Sequence, residues 1–468
     1  MFSYLAFLER IFMVFSSLIF IFRFLPIFLI IYFIAPKKYK NLIILIFSLF
    51  FYTFGEPKYF PLIIASILVD YFISISIENN FNNKVKCKIL LMISIIFNIG
   101  LLFFFKYLNF FINNINLMFS TSFNELKLSL PLGISFYTFQ TLSYTIDVFC
   151  GKVKAERNIV DFGAFVSLFP QLIAGPIVKY TDISKELKKR NHSLRNFEVG
   201  IEIFIIGLGK KVLLANNIGM LWTEVYSKDI HMISMPLAWI GILAFALQIY
   251  FDFSGYSSMA KGLGKIIGFD FPENFNFPYI SRSISEFWRR WHITLGSWFK
   301  EYIYIPLGGN RVGKIALFLN LLLVWFLTGF WHGAEYNFIL WGLYFFILIY
   351  MEKLFLIKFI NKYKLFSHIY TIFFLLIGWV IFAIDNISLL FLYLKRMFSF
   401  NFTFDWLYYL NNYSIVFILC FIFSTPVVLT VYNKMGKYVK SFIIITIFIL
   451  CISYLVDSTY NPFLYFRF

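Results

Sequence analysis

The sequence has little charge for its length. Only 14% of its 468 residues are Asp, Glu, Lys or Arg, whereas a soluble domain typically has about 25%. Hydrophobic residues make up 60% of the chain, Phe alone contributes 66 residues, and the mean hydropathy is +0.78. This composition excludes an ordinary soluble domain and predicts a polytopic membrane protein.

Cysteine is also scarce. Cys87, Cys150, Cys420 and Cys451 lie far apart and form no CxxC pair. Neither a disulfide framework nor a metal site is therefore predicted. Cys420 and Cys451 lie in apolar runs and are expected to be small core residues. Cys150 precedes a basic loop, where a lipidated or reactive thiol is the alternative to an inert one.

Several catalytic signatures are missing. No HExxH, GxSxG, Walker or Rossmann pattern occurs in its proper context, so metalloprotease, hydrolase and ATPase functions lack support. The net charge of +17 would suggest a nucleic-acid partner in a soluble protein. Here the basic residues cluster in short loops between apolar runs, which membrane topology explains. No nucleic-acid partner is predicted.

The apolar runs and basic loops alternate along the chain. We predict an all-α protein with ten to twelve transmembrane helices, about ten of them full spans, and both termini outside. Residues 1–12 are a possible N-terminal extension, because Met13 begins the apolar pattern, and 13–468 form one transmembrane domain. The predicted runs are about 11–34, 41–54, 59–77, 89–105, 131–150, 197–222, 237–253, 315–330, 338–350, 369–384, 415–431 and 443–455.

Four stretches depart from simple spans. Residues 108–130 suit an external loop or surface helix, and 256–311 form a basic, glycine-rich region that is cytoplasmic or half-buried. Residues 131–150 carry polar side chains that lipid-facing helices avoid, so this run is expected to line a cavity. Residues 161–178 are broken by proline and glycine and are predicted to be a re-entrant hairpin.

Residues 250–345 contain the motifs that suggest chemistry. Two of the five histidines, His292 and His332, lie here, and each follows a tryptophan, Trp291 and Trp331. Between them, residues 315–329 form an apolar segment that is short for a full span. A histidine at membrane depth is costly without a cavity or partner, so both are candidate functional residues.

His332 lies at a break between two apolar runs, where Gly329 and Gly333 leave the backbone free to unwind. This position predicts a general base in a channel. The alternative is a core histidine that hydrogen-bonds a carbonyl. His192, His231 and His368 are expected in solvated loops.

Basic side chains surround His292 in the sequence. His292 could be a second polar group that orients a substrate, and Arg289 and Arg290 could draw an anionic donor such as a phosphate-bearing carrier. The alternative for the Trp and Arg residues is anchoring at the membrane interface.

Arg311, in the turn PLGGNR, could meet phosphate. Asp252 ends an apolar run, where structural pairing with an arginine or histidine and a direct role in the site are equal alternatives. Further charges expected on this surface are Arg282, Glu286, Lys300 and Glu301.

Two long stretches resemble a known family. DFSGYSSMAKGLGKIIGFDFPENFNFPYISRSISEFWRRWHITLGSWFKEYIYIPLGGNR and LTGFWHGAEYNFILWG closely resemble the membrane-bound O-acyltransferase family, especially its bacterial branch that O-acetylates alginate or peptidoglycan. The resemblance implies a ring of helices around a central funnel, with His332 as the catalytic histidine and His292 as the second one. On that chemistry, the hypothesis is that His332 acts as the base and that His292 orients or polarises the acyl carbonyl.

The resemblance also implies a reaction. Acetyl-CoA would be the cytoplasmic donor, with no bound cofactor, and an extracytoplasmic polysaccharide would be the acceptor. A secreted SGNH-type transfer protein would complete the reaction at a bacterial cytoplasmic membrane. Three alternatives stay open: D-alanyl transfer from a carrier protein to teichoic acid, a proton-coupled transporter or flippase, and a non-catalytic scaffold.

Overall fold

The computed structural model describes residues 13–126, 128–172, 175–457 and 460–462. These residues form helices and turns with no β-strand among them, so the predicted all-α class is confirmed. The possible extension 1–12 lies outside the described residues. The chain divides into two compact units: unit 1 is Met1–Phe204 with Ser258–Pro272, and unit 2 is Ile205–Ser257 with Glu273–Phe468.

The α-helices up to residue 266 include several of membrane length. Their bounds are Leu25–Ile34, Lys40–Gly55, Phe60–Asn79, Lys84–Leu102, Leu108–Phe119, Ile134–Phe149, Ile159–Ser167, Phe169–Leu172, Tyr180–Lys188, Leu194–Gly209, Asn216–Tyr226 and Met235–Ile266.

The α-helices after residue 266 include the short ones that carry the motifs. Their bounds are Ile284–Arg290, Ile293–Phe299, Lys314–His332, Tyr336–Met351, Ile357–Lys362, Lys364–Ala383, Ile387–Met397, Asp405–Phe423, Val427–Lys434 and Lys437–Asp457. In the described parts of the chain, five π-helical segments adjoin α-helices: Phe20–Phe24, Phe103–Tyr107, Lys210–Ala215, Lys300–Tyr304 and Glu352–Leu356.

Seven helices in the described parts of the chain are long and apolar enough to cross a membrane. They confirm a polytopic membrane protein; other runs in the predicted set of ten to twelve form shorter helices. The seven are Phe60–Asn79, Lys84–Phe119, Met235–Ile266, Lys314–His332, Lys364–Ala383, Asp405–Phe423 and Lys437–Asp457.

Three predicted boundaries are wrong. The helix that begins at Lys84 continues for 36 residues to Phe119, so residues 108–119 are not a loop or separate surface helix. Lys314–His332 has 19 residues, about 28 Å at 1.5 Å per residue, and is not too short to span. Met235–Ile266 extends through the glycine-rich start of the 256–311 region.

Close packing explains why glycine does not end that last helix. A Cβ on Gly262 would lie 2.6 Å from the Gly200 carbonyl oxygen. Gly262 is therefore required where the two backbones approach, rather than where the chain turns. The sequence pattern cannot distinguish these two uses of glycine.

In unit 1, the helix Ile134–Phe149 is buried along most of its length. Its polar side chains join neighbouring helices: the Asp70 carboxylate accepts hydrogen bonds from Thr145 at 3.1 Å, from Asn98 at 2.7 Å and from Ser94. The helix is buried and its polar groups are used between helices, whereas the cavity that it is expected to line stays a prediction. The short buried helices Ile159–Ser167 and Phe169–Leu172 lie within the segment 161–178, whose re-entrant path stays a prediction.

Candidate active site

A helical hairpin in unit 2 places His332. The helix Lys314–His332 ends at that residue, and Tyr336–Met351 returns after three non-helical residues. The two helices touch at glycines: a Cβ on Gly329 would lie 2.3 Å from the Phe338 carbonyl oxygen. Gly329 therefore permits contact within a continuous helix, and the prediction that it unwinds the backbone is wrong. The chain leaves the helix at Gly333, where the break was predicted.

Aromatic rings enclose the His332 imidazole. The side chain is 6% exposed, and its ring centre lies 5.0 Å from that of Trp331, 5.1 Å from Trp341 and 5.3 Å from Phe382. The Asn337 amide donates to the carbonyls of residues 381 and 382, at 3.2 and 3.1 Å. These contacts hold the break in the hairpin against a neighbouring helix and fix the position of His332.

A buried carboxylate holds the motif helix Ile284–Arg290 in place. Glu352 is 1% exposed and accepts the backbone N–H groups of Ile284 at 2.7 Å and Ser285 at 2.8 Å. The Ser283 side chain accepts the N–H of Glu286 at 3.0 Å. Helix N-termini leave N–H groups without helical partners, and negative charge is favourable there. Glu352 thus ties this short helix to the chain that follows Tyr336–Met351.

His292 lies at the start of the next short helix. Its φ of 43° is in the left-handed region, which is uncommon for residues other than glycine. Its Nδ1 atom lies 3.1 Å from Asn274 Oδ1, and its ring meets that of Phe253 edge-on at 4.6 Å. Burial lowers the pKa of His292 to about 3, so the imidazole is neutral at physiological pH.

One cavity in unit 2 brings the two histidines together. It has a volume of about 360 Å³, and His292 and His332 both line it. Trp331 contacts both rings, with its ring centre 6.1 Å from His292 and 5.0 Å from His332. The wall is mainly apolar and includes Trp288, Trp291, Leu295, Phe299, Leu321, Val324, Trp325 and Ile349. The histidines predicted from the motifs therefore share one buried space.

Three cations occupy the exposed part of the cavity wall. Arg289, Lys300 and Lys353 line the cavity, and all three are exposed, whereas both histidines are buried. Burial and the neighbouring Arg289 charge lower the pKa of Lys353. Three like charges on one part of a cavity wall favour the binding of an anion there. The cavity thus runs from a cationic mouth, formed by Arg289, Lys300 and Lys353, to the two imidazoles.

The cationic mouth differs from the predicted basic face. Arg290 turns to Glu286 at 2.9 Å and to the Asn276 carbonyl at 3.1 Å. Arg311 is exposed in a turn, and neither arginine is among the described residues that line the cavity. Lys353 was not among the residues predicted for this site. Its position after an apolar run did not predict that it lines the same cavity as Arg289.

Asp252 has a different partner from the one predicted. Its carboxylate lies 2.7 Å from the Lys211 ammonium, and the two side chains are 4% and 3% exposed. The expected arginine or histidine partner is therefore wrong. Lys211 lies on the π-helical segment Lys210–Ala215, and a sequence does not show which buried cation faces a distant carboxylate. This contact supports a structural role, since removing one member of a buried pair leaves an uncompensated charge.

Two tryptophans and three further histidines were also assigned positions from the sequence. Trp291 is buried against Trp379 at 4.9 Å, and Trp331 is 5% exposed, so both pack inside unit 2. His368 lies in the helix Lys364–Ala383, with Nδ1 3.2 Å from the Ser281 carbonyl oxygen; its predicted loop position is wrong. His192 and His231 do lie in loops.

Known proteins resemble this chain over most of its length. The model of the membrane-bound O-acyltransferase family matches residues 153–394. A probable alginate O-acetylase AlgI of Pseudomonas syringae pv. tomato is 40% identical over 84% of this chain and 76% of its own. A peptidoglycan O-acetyltransferase of Helicobacter pylori is 38% identical over 85% and 82%.

A more distant relative covers less of the chain. A teichoic acid D-alanyltransferase of Bacillus subtilis is 30% identical over 50% of this chain and 61% of its own. The family match covers more than half of the sequence and includes both cavity histidines. The chain therefore belongs to the membrane-bound O-acyltransferase family and is a multi-pass membrane O-acyltransferase.

Proposed function

We propose that this enzyme takes an acetyl group from acetyl-CoA and moves it across the membrane, to an acceptor hydroxyl, for the O-acetylation of an extracytoplasmic polysaccharide. The observation that carries the proposal is the cavity that joins a cationic mouth to buried His292 and His332. The relatives named for alginate and peptidoglycan O-acetylation favour an acetyl group and those two classes of acceptor.

The chemistry needs a base beside the acyl carbon. The oxygen of the acceptor hydroxyl attacks the thioester carbonyl, and its proton passes to His332. The tetrahedral intermediate then collapses, the carbon–sulfur bond breaks, and the thiolate of coenzyme A leaves and takes up a proton. A positioned base typically contributes about 10²- to 10⁴-fold to such a rate. The apolar cavity wall excludes water, which would otherwise hydrolyse the thioester.

The cationic mouth suits the proposed donor. Coenzyme A carries phosphates, and Arg289, Lys300 and Lys353 provide positive charge at the exposed part of the cavity. Arginine can bind a phosphate through two parallel hydrogen bonds, and lysine acts as a point charge. The phosphates would stay at the mouth while the thioester reaches the histidines.

The remaining parts of the proposal concern the membrane. We place the enzyme in a bacterial cytoplasmic membrane with both termini outside. The donor would enter the cavity from the cytoplasmic side. A secreted SGNH-type protein would receive the acetyl group and complete its transfer to the polysaccharide. The names of the relatives support the acceptor class and leave the partner to be tested.

The test uses purified wild type and the His332→Ala variant in nanodiscs with radiolabelled acetyl-CoA. Release of coenzyme A is measured, with and without the candidate partner. We expect release from the wild type and a loss of about 10²-fold or more in the variant, because the base is removed. Full activity of a folded His332→Ala protein would refute the assignment.

A second candidate is D-alanyl transfer from a carrier protein, which the Bacillus subtilis relative favours. The same assay separates the two donors. Acetyl-CoA alone supports coenzyme A release only under the first proposal. Loss of D-alanine from a D-alanyl carrier protein, which frees the thiol of the carrier, with no coenzyme A released from acetyl-CoA, would establish the second. No thiol freed from either donor would favour transport through the cavity.

A further inference from the structure

Asn274 connects three groups around His292. Its side chain is 2% exposed. The Oδ1 atom lies 3.1 Å from His292 Nδ1, 2.9 Å from Thr294 Oγ1 and 3.3 Å from the Thr294 backbone nitrogen. The Nδ2 atom donates to Ser257 Oγ at 3.0 Å. A single buried amide therefore contacts both the second histidine and the helix that begins after it.

These contacts fix the orientation of the Asn274 amide. The oxygen and nitrogen of an asparagine side chain are distinguished by their partners. A backbone N–H can only donate a hydrogen bond, so the atom that faces the Thr294 N–H must be the oxygen. The nitrogen then faces Ser257, whose hydroxyl can accept. The backbone supports the same arrangement, because the Ile293 N–H donates to the Asn274 carbonyl at 3.0 Å.

The amide orientation in turn decides the state of the imidazole. A neutral histidine carries hydrogen on one ring nitrogen and a lone pair on the other. Because an acceptor oxygen faces Nδ1, the hydrogen lies on Nδ1. The lone pair therefore lies on Nε2. The hydrogen bond made by one ring nitrogen commonly sets the role of the other in this way.

We propose that Asn274 is a positioning residue that holds His292 with its hydrogen on Nδ1, so that Nε2 accepts a hydrogen bond from the substrate. This inference rests on the proposed function, because it assumes that the substrate binds in the cavity beside His292. Polarising the acyl carbonyl would require a hydrogen on Nε2, so the geometry opposes that part of the sequence-based hypothesis. The attacking hydroxyl gives its one hydrogen to His332, and Nε2 binds a different N–H or O–H of donor or acceptor.

The first test reads the imidazole directly and needs no activity. Histidine labelled with ¹⁵N in the ring is incorporated, and the His292 signals are identified by their loss in His292→Ala. We expect the wild type and Asn274→Asp, which keeps an acceptor oxygen, to carry hydrogen on Nδ1. Asn274→Leu should lose this preference. Hydrogen on Nε2 in the wild type would overturn the proposal even if the leucine variant does not fold.

The second test asks whether Asn274 acts through His292. Coenzyme A release is compared for Asn274→Leu, His292→Ala and the double variant, each checked by thermal unfolding. We expect Asn274→Leu to lower kcat by at least about 10-fold, since a wrong imidazole tautomer is costly in catalysis. It should cost nothing further in the His292→Ala background.

The two tests separate this proposal from the proposed function. An equal loss from Asn274→Leu in both backgrounds would show a general structural effect and contradict the positioning role. If the wild type releases no coenzyme A from acetyl-CoA, the proposed donor is wrong, while the nitrogen spectrum still decides the role of Asn274.

Discussion

At the scale of single residues, the cavity separates exposed charged side chains from two buried histidines. Arg289 and Lys353 are exposed at the mouth, while His292 and His332 are buried among aromatic rings. The two histidines and Arg289 were predictable, because polar residues inside apolar sequence are conspicuous. Lys353 was not, because a lysine after an apolar run is fully explained by membrane topology.

The cationic mouth leads to a prediction about donor binding. Replacing Arg289 and Lys353 together with alanine should raise the KM for acetyl-CoA by at least about 10-fold, because hydrogen bonds to charged groups contribute about 1.5–3 kcal/mol each. The kcat should change little, since neither side chain is assigned to the reacting atoms. Coenzyme A release at varied donor concentrations measures both constants.

Salt and a distant arginine provide the controls for that prediction. Added salt should raise the KM of the wild type more than that of the double variant, because exposed charges are screened. Arg195→Ala removes an exposed arginine of unit 1 and should leave the KM unchanged. An unaltered KM in the double variant would show that the mouth does not bind the donor.

At the scale of secondary structure, the hairpin of Lys314–His332 and Tyr336–Met351 is the element that places His332. A Cβ on Gly329 would lie 2.3 Å from the Phe338 carbonyl oxygen, and one on Gly342 would lie 2.4 Å from the Trp325 carbonyl oxygen. The sequence showed the two apolar runs and the break between them. It did not show that Gly329 serves helix contact, because periodicity carries no information about which backbone lies opposite.

Gly329→Ala should therefore destabilise the protein by about 1–3 kcal/mol, the usual cost of overpacking, and lower the rate of coenzyme A release. Thermal unfolding in nanodiscs measures the first effect. Gly100→Ala is the matched control, since a Cβ there meets nothing within 4 Å. Equal stability of the two variants would contradict tight contact between the hairpin helices.

At the scale of the whole molecule, the alternation of basic loops predicts which loops face the cytoplasm. Cys150 gives a direct probe, because it is exposed while Cys87, Cys420 and Cys451 are buried. It precedes the basic loop of Lys152 and Lys154. A membrane-impermeant maleimide should label this thiol only after cells are permeabilised, as read by mass shift. Labelling of intact cells would reverse the predicted topology, and Cys150→Ser should abolish labelling in either case.

The sequence by itself determined the class of protein, because a chain with low charge and long apolar runs is stable only in a membrane. It also determined the candidate histidines, because a histidine at membrane depth costs free energy and therefore indicates a functional residue. Only the tertiary structure decided which groups meet: Lys211 with Asp252, Glu352 with the helix Ile284–Arg290, and Asn274 with His292. These contacts join residues far apart in the chain, and their specificity comes from packing and hydrogen-bond direction, neither of which a linear pattern encodes.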